Sequence, residues 1–315
     1  MREVVVTEHE AGQRLDRLLR KLLRNTPLGA IFRLLRSGAI RIDGRKVGGD
    51  LRLVAGMRLE LRVPDGDLSA TPATGARPPR RAVSAAPTAW PAALTPCVVH
   101  RDDDLLALAK PAGLAVHGGS GVRHSVAAWL DGAGFGVRTS TWHPAPAHRL
   151  DRATSGVLLV GLQPAATRAL AASFRDGAVA KTYYAVVEGA PPTRAGEIDA
   201  PLALRPNATA DGPKVVVDPA GEVARTGYEV VAATDGLTLV RLQPREGRQH
   251  QLRAHLAHLG CPILGDRRYG ARRGAGGGFF LHCAALVLPH PRTGAPIKLA
   301  TPVPAGWPLS PPSSS

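Results

Sequence analysis

The sequence predicts an α+β fold: a mainly antiparallel mixed sheet with helices set among its strands, preceded by a small, strongly basic α/β segment. Three observations predict it. Beyond Cys97, strand-like and helical runs do not alternate regularly, which argues against a doubly wound parallel sheet. Composition shifts near residues 64 and 96, which divides the 315 residues into a small part and a large one. Charge is also uneven: of a formal net charge of +15, residues 1–64 hold +7, from 14 basic against 7 acidic residues.

The elements follow in order. "GQRLDRLLRKLL" puts Leu15, Leu18, Leu19, Leu22 and Leu23 at helical spacing, with basic residues largely elsewhere on the wheel. "PLGAIFRLLRSG" sets Ile31, Leu34 and Leu35 on one face of a second helix, with Gly38 as its stop. "AIRIDGRKV" alternates and turns at Asp43-Gly44, a hairpin signal, and "RLVAGMRLELRV" continues as alternating strand. Residues 65–95 are rich in Pro, Ala, Ser and Thr without apolar periodicity and read as a linker.

From Cys97, "CVVHRDDDLLALAKPAGLAVH" reads as strand, turn, strand and loop. "SGVLLVGL" is an uninterrupted apolar run, the mark of a buried strand, and "PAATRALAASFRDG" is a helix ending at Gly177. "KTYYAVVEG" and "TLVRLQP" are strands, and "RQHQLRAHLAHLG" is a helix ending at Gly260. The globular part runs to about Pro304, and residues 305–315 read as a disordered tail.

Composition excludes several classes. No run of about 18 uncharged apolar residues exists, so no membrane-spanning helix is expected. The N-terminus lacks the basic and apolar regions of a secretory signal. Cys97, Cys261 and Cys283 are odd in number and form no C-x-x-C pair, which argues against a disulfide framework or a cysteine zinc site and fits a cytoplasmic protein. Of 40 basic residues only six are lysine. Arginine's planar fork suits phosphate and stacks on bases, so a nucleic-acid partner is expected, although a bias toward Arg, Ala, Gly and Pro gives the same excess.

The strongest local signal is "HRLDRATSGVLLV", His148 to Val160. A carboxylate between two arginines stays ionised and can act as nucleophile or base. The tetrapeptide alone says little, because "RLDR" also occurs at Arg14–Arg17 on the first basic helix. The longer version, with His148 before it and a T-S-G turn and apolar strand after it, is specific. Other patterns carry less. His250, His255 and His258 cluster in one predicted helix but lack the spacing and third ligand of a zinc site. "RDDDLL" reads as a turn, and "GARRGAGGGFF" lacks the lysine of a phosphate loop.

"HRLDRATSGVLLV" resembles the motif of RNA pseudouridine synthases of the RluA/RluC/RluD type. Further segments match that family in order: "LLALAKPAGLAVH", "KTYYAVVEG", "EGRQHQLRAHLAHLGCPILGDRRYG" and "FFLHCAALVLPHP". The resemblance spans about residues 97–303, and residues 13–62 resemble an S4 RNA-binding domain. "TPLGAIFRLLRSGAIRIDGRKV" leans toward the RluC branch.

The resemblance implies an S4-like domain over 1–64, a linker over 65–95 and a catalytic domain over 96–304. It implies isomerisation of uridine to pseudouridine in large-subunit (23S) ribosomal RNA, by a cytoplasmic monomer that needs no cofactor, metal or membrane. The same chemistry on transfer RNA, or a non-catalytic RNA-binding role in ribosome assembly, are the alternatives. By resemblance Asp151 is the catalytic carboxylate, Tyr183 the aromatic platform for the uracil, and Arg253 the cation that pairs with Asp151. Leu281 packs against the site, and Arg149, Arg152 and Arg248 contact RNA. In the S4-like part, Arg17, Lys21, Arg33 and Arg36 are the expected RNA contacts. Strand alternation sends Tyr184 to the face opposite Tyr183. Cys283 stands where the family has a small residue.

Overall fold

The structure is a computed structural model that describes residues 2–8, 10–23, 26–63, 90–119, 122–136, 138, 142–209, 212–274, 276 and 278–312. The chain divides into two units: residues 1–89 with 136–144 and 163–165, and residues 90–135, 145–162 and 166–315.

In the first unit, β1 (Arg2–Val5) leads to α1 (Leu15–Leu22) and α2 (Leu28–Ser37), followed by β2 (Ile40–Ile42) and β3 (Arg58–Leu61). The strands form an antiparallel sheet in the order β1-β3-β2. The leucines of α1 and the Ile31 and Leu35 face of α2 are buried with Ile40, Ile42, Leu59 and Leu61 in one core. Arg17, Arg33 and Arg36 are exposed around it. Lys21 is half-buried and donates to Gln13 Oε1 at 3.3 Å, and burial lowers its pKa.

The turn at Asp43-Gly44 forms, with φ of 48° and 76°, and Ile42 and Arg45 exchange backbone bonds across it. The expected hairpin partner does not continue as a strand. Instead β2 pairs with β3, because a second turn closed by Gly56 (φ 90°) shortens the alternating run to Arg58–Leu61.

The second unit is built on a mixed sheet. Its strands are β4 (Cys97–Arg101), β5 (Leu105–Lys110), β6 (Ala145–Pro146), β7 (Ser155–Gly161), β8 (Ala180–Glu188), β9 (Ala195–Asp199), β12 (Arg225–Thr234), β13 (Leu237–Pro244), β14 (Leu281–Pro289) and β15 (Pro296–Ala300). A separate hairpin pairs β10 (Leu202–Thr209) with β11 (Gly212–Val217). The helices are α3 (Val126–Ala133), α4 (Pro164–Arg175) and α5 (Gln251–His258).

The main sheet runs β4-β5-β7-β14-β8-β13-β12-β9, with β15 on β14 and β6 on β7. Its one parallel junction among the described residues joins β7 to β14 through His282↔Ser155 and Cys283↔Gly156. The other pairs are antiparallel. All seven residues of β7 are buried, as its unbroken apolar run demands. At the junction Gly156 has φ 115°, and a Cβ there would stand 2.1 Å from the Cys283 carbonyl oxygen, so only glycine fits.

The edges of the second unit differ from the sequence reading. Residues 64–89, most of the expected linker, lie outside the described residues. Its last residues are ordered: Trp90 packs at 4.9 Å from His124, and Ala92–Leu94 form a 3-10 turn. In the expected tail, Trp307 meets Phe280 edge-on at 5.4 Å, and Leu309 packs on the core around Val186 and Leu239. Two large apolar side chains are enough to hold that stretch against the sheet. Residues 313–315 lie outside the described residues.

Candidate active site

Asp151 sits on the loop entering β7, where Thr154 N–H donates to the Asp151 carbonyl at 3.0 Å. That loop is fixed from below by Lys110, the last residue of β5, which is 1% exposed. Its ammonium donates to the carbonyls of Pro111, Leu114 and Arg152 at 3.0, 2.8 and 3.2 Å. Burial pushes the Lys110 pKa down to about 7, and the charge of Asp151 opposes the shift. On the sheet side, His148 stacks on Phe174 at 4.3 Å and accepts from Leu159 N–H at 3.0 Å. Burial takes its pKa down to about 3, so it serves as a neutral acceptor.

Arg253 reaches Asp151 from the first turn of α5, with Nη1 donating to Oδ2 at 3.1 Å. A second carboxylate holds the guanidinium from behind. Arg253 Nε and Nη2 donate to Asp266 Oδ2 and Oδ1 at 2.7 and 2.9 Å, a bidentate pair. The side chains are 19% (Asp151), 8% (Arg253) and 2% (Asp266) exposed. Tyr269 and Phe279 lie 4.7 and 4.6 Å from the guanidinium carbon, so two rings flank it. Burial works against the Arg253 charge, but Asp266 and then Asp151 outweigh it and raise its pKa. The guanidinium stays charged and is held by both carboxylates.

Tyr183 and Leu281 complete one wall. Tyr183 on β8 stands opposite Cys283 on β14 and Leu242 on β13. Leu281 shares that face through the two-residue period. Tyr184 lies on the other face, in the core around Val186 and Leu239. Burial raises the Tyr183 pKa well above its usual value, reinforced by Cys283 and by the charge of Asp151. The phenol therefore stays protonated at neutral pH. Burial also pushes the Cys283 thiol up to about 12.

A recess of about 260 Å³ opens between these groups, lined by Asp151, Tyr183, Leu281, Lys181, Arg253 and the Glu246–Leu252 segment. A second, of about 450 Å³, lies on the other side of Asp151, toward Ala115–His117 and Phe279. Arg149 is exposed and borders both. Arg248 lines the first, tied to the Val223 carbonyl at 3.1 Å and to Glu222 at 2.9 Å. Arg152 is not in the first recess; its Nε donates to the Gly113 carbonyl at 3.0 Å. It clamps the loop after β5.

Three residues escaped the sequence reading. Asp266 and Tyr269 come from "GDRRYG", beyond the helix that carries Arg253. The spacing puts His250 in that helix, but it stands before it with φ 52°, which turns its ring toward Asp151, 3.8 Å away at Nε2. His255 is buried and bonded to Thr226 and Ala200, so these histidines do not converge. Asp102, Asp104 and His290 lie close enough to hold an ion. Asp102 already accepts from Asp104 N–H, Leu105 N–H, His100 and His290, as a turn does, and Asp104 faces Arg292 at 2.7 Å.

The site thus sets a part-buried ion pair beside an aromatic and an aliphatic wall, at the junction of a mixed sheet. The family profile described as RNA pseudouridylate synthase matches residues 104–258. The chain belongs to the RNA pseudouridylate synthases. Its relatives include the ribosomal large subunit pseudouridine synthase C of Escherichia coli K12, 36% identical over 96% of this chain and 93% of that protein. The protein of the same description from Vibrio cholerae is 36% identical over 95% of this chain and 92% of its own. Among solved structures, human RNA pseudouridylate synthase domain containing 4 aligns with a TM-score of 0.54 and 28% identity, over 66% of this chain and 88% of that one. No helix among the described residues is long and apolar enough to cross a membrane.

Proposed function

We propose that this chain isomerises uridine to pseudouridine in large-subunit (23S) ribosomal RNA, with Asp151 as its catalytic carboxylate. The observation that carries the reading is the way Asp151 is held. One oxygen, Oδ2, is bonded to a buried guanidinium, while no hydrogen bond or ion pair among the described residues reaches Oδ1. An ionised, oriented carboxylate with a free oxygen is what the reaction requires. The C1′–N1 bond breaks, the uracil turns, and C1′–C5 forms. The proton on C5 leaves and N1 gains one, so the change is a net isomerisation. Attack on the ribose, addition to the base, or a route through a glycal all place this carboxylate beside the sugar and the uracil.

The target base must leave its stack to enter a recess of this size. Tyr183 offers the unstacked uracil an aromatic face, and Leu281 a dry wall. Arg253 donates to Asp151 Oδ2 and keeps the carboxylate aimed. Arg149 and Arg248 at the rim, with Arg152 beside the loop, suit the flanking phosphates. The basic helices of residues 1–64, with Arg17, Lys21, Arg33 and Arg36, form an S4-like anchor on structured RNA. The similarity to ribosomal large subunit pseudouridine synthases supports 23S RNA as the substrate. The enzyme acts as a cytoplasmic monomer without metal or cofactor.

The test is tritium release from transcripts carrying [5-³H]uridine, with wild type and Asp151→Asn side by side. Forming C1′–C5 expels that hydrogen to solvent. Release from large-subunit RNA by wild type alone is expected. Release from transfer RNA instead would reassign the substrate. Tight binding without release from any transcript or pre-ribosomal particle would make the protein a non-catalytic assembly factor.

A further inference from the structure

We propose that His250 is a positioning residue: a neutral imidazole, locked with its ring proton on Nε2, that joins Arg253 in holding one oxygen of Asp151 and leaves the other free to react. The role rests on the reading of Asp151 as the catalytic carboxylate; the ring's protonation state does not.

The lock is read from Tyr269. Its phenol oxygen accepts the Val215 N–H at 3.3 Å. With one lone pair of the phenol oxygen so engaged, we read its hydrogen as donated to His250 Nδ1, 3.0 Å away. A neutral imidazole that accepts at Nδ1 carries its proton on Nε2. Nε2 lies 3.8 Å from Asp151 Oδ2, the oxygen that Arg253 Nη1 reaches at 3.1 Å. Both donors thus address Oδ2. The His250 distance is just outside hydrogen-bond range, and a small approach of the two groups is all that a hydrogen bond requires.

The backbone supports a dedicated placement. His250 has φ 52°, a left-handed conformation that a non-glycine residue adopts at a cost. It still accepts at its carbonyl from Ala254 N–H at 3.0 Å, so α5 begins normally behind it. The strained residue turns its ring out of the helix face and into the site. The charged groups around the ring are Asp151, Arg253, Arg268 and Asp266. Burial lowers the imidazole pKa, the two arginines lower it further, and the two aspartates oppose that. The ring is therefore neutral in the neutral range.

The experiment uses ¹⁵N-histidine-labelled full-length protein, free of RNA, read by NMR. The expected result for wild type is an Nε2–H tautomer with Nδ1 as acceptor. In Asp151→Asn the ring pKa should fall, because the carboxylate that favours the imidazolium is gone. In Tyr269→Phe the tautomer should become mixed. An Nδ1–H tautomer, a cationic ring at neutral pH, or a ring pKa indifferent to Asp151→Asn overturns the proposal. Single-turnover tritium release reads the function. His250→Ala should slow the maximal rate about tenfold and leave half-saturating RNA within about twofold, as for loss of a hydrogen bond to a charged group. His250→Gln, which keeps an N–H donor, should recover part of the rate. His250→Ala with Tyr269→Phe should be no slower than His250→Ala alone. Additive losses, or a loss in RNA binding only, overturn the positioning role. The expected NMR signature with no turnover by wild type supports the lock and overturns the proposed function instead.

Discussion

Asp266→Asn tests how the site holds its arginine. The substitution keeps shape and removes one charge. Arg253 donates three bonds: two to Asp266, at 2.7 and 2.9 Å, and one to Asp151, at 3.1 Å. An asparagine can accept only one of the first two, and its amide N–H then faces a guanidinium N–H. A charge-assisted bond contributes roughly 1.5–3 kcal/mol, and breaking a buried pair costs roughly 3–5 kcal/mol. We expect Asp266→Asn to lower stability by about 3 kcal/mol. Arg253→Met should cost more, since it leaves two carboxylates facing one another with no cation between them. Asp151→Asn should cost less than about 1 kcal/mol, because Asp151 makes one of the three bonds and is the most exposed of the trio. The assay is urea unfolding of the full chain, with tritium release measured in parallel. Asp266→Asn should also slow turnover through a misplaced Asp151. Stability of Asp266→Asn within about 1 kcal/mol of wild type, or an Asp151→Asn cost equal to it, refutes this account of the triad.

Three other outcomes follow from the geometry. Lys110→Met removes the donor from three carbonyls in a dry site and should destabilise by about 3 kcal/mol, seen in a thermal melt, and slow turnover by loosening the Asp151 loop. Gly156→Ala adds a Cβ 2.1 Å from a backbone oxygen at φ 115° and should cost more than about 3 kcal/mol, or prevent soluble expression. His148 has its pKa lowered from 6.5 to about 3, so between those values the unfolded chain binds a proton that the folded one does not. Stability should therefore fall as pH drops through that window, by roughly 1 kcal/mol per unit, and His148→Asn should flatten the slope of an acid titration followed by urea midpoints.

Much of the fold was legible because it is written in local periodicity. The leucines of α1, the apolar run of β7 and the glycine stop after α5 each declare themselves within a dozen residues. Asp151, Tyr183 and Arg253 were reachable through the segments that resemble a known family. The supporting residues were not. Asp266 meets Arg253 across a turn, 13 residues on, and nothing in "GDRRYG" marks its aspartate as a partner rather than a surface charge. The acid and the tyrosine closely following one arginine helix are a usable signal. Periodicity places His250 within the helix because it assumes helical φ throughout, and the positive φ of His250 breaks that assumption. The Trp307 contact failed for another reason: a Pro- and Ser-rich ending masked one large ring with a place to dock.

The two-residue parallel junction between β7 and β14 has a kinetic consequence. Asp151 belongs to the half of the sheet before it, while Tyr183 and Arg253 belong to the half after it. The ion pair closes a loop of 102 residues, for which chain closure costs about 4 kcal/mol before any contact repays it. β14 reaches its partners on both sides, Tyr183 on β8 and Gly156 on β7, only across long stretches of chain. Its docking is then a late, slow step of folding, as non-local pairing is in general. Recovery of turnover in a refolding chain should lag the recovery of backbone structure and coincide with the final phase. The Asp151–Arg253 pair thereby clocks completion of the sheet.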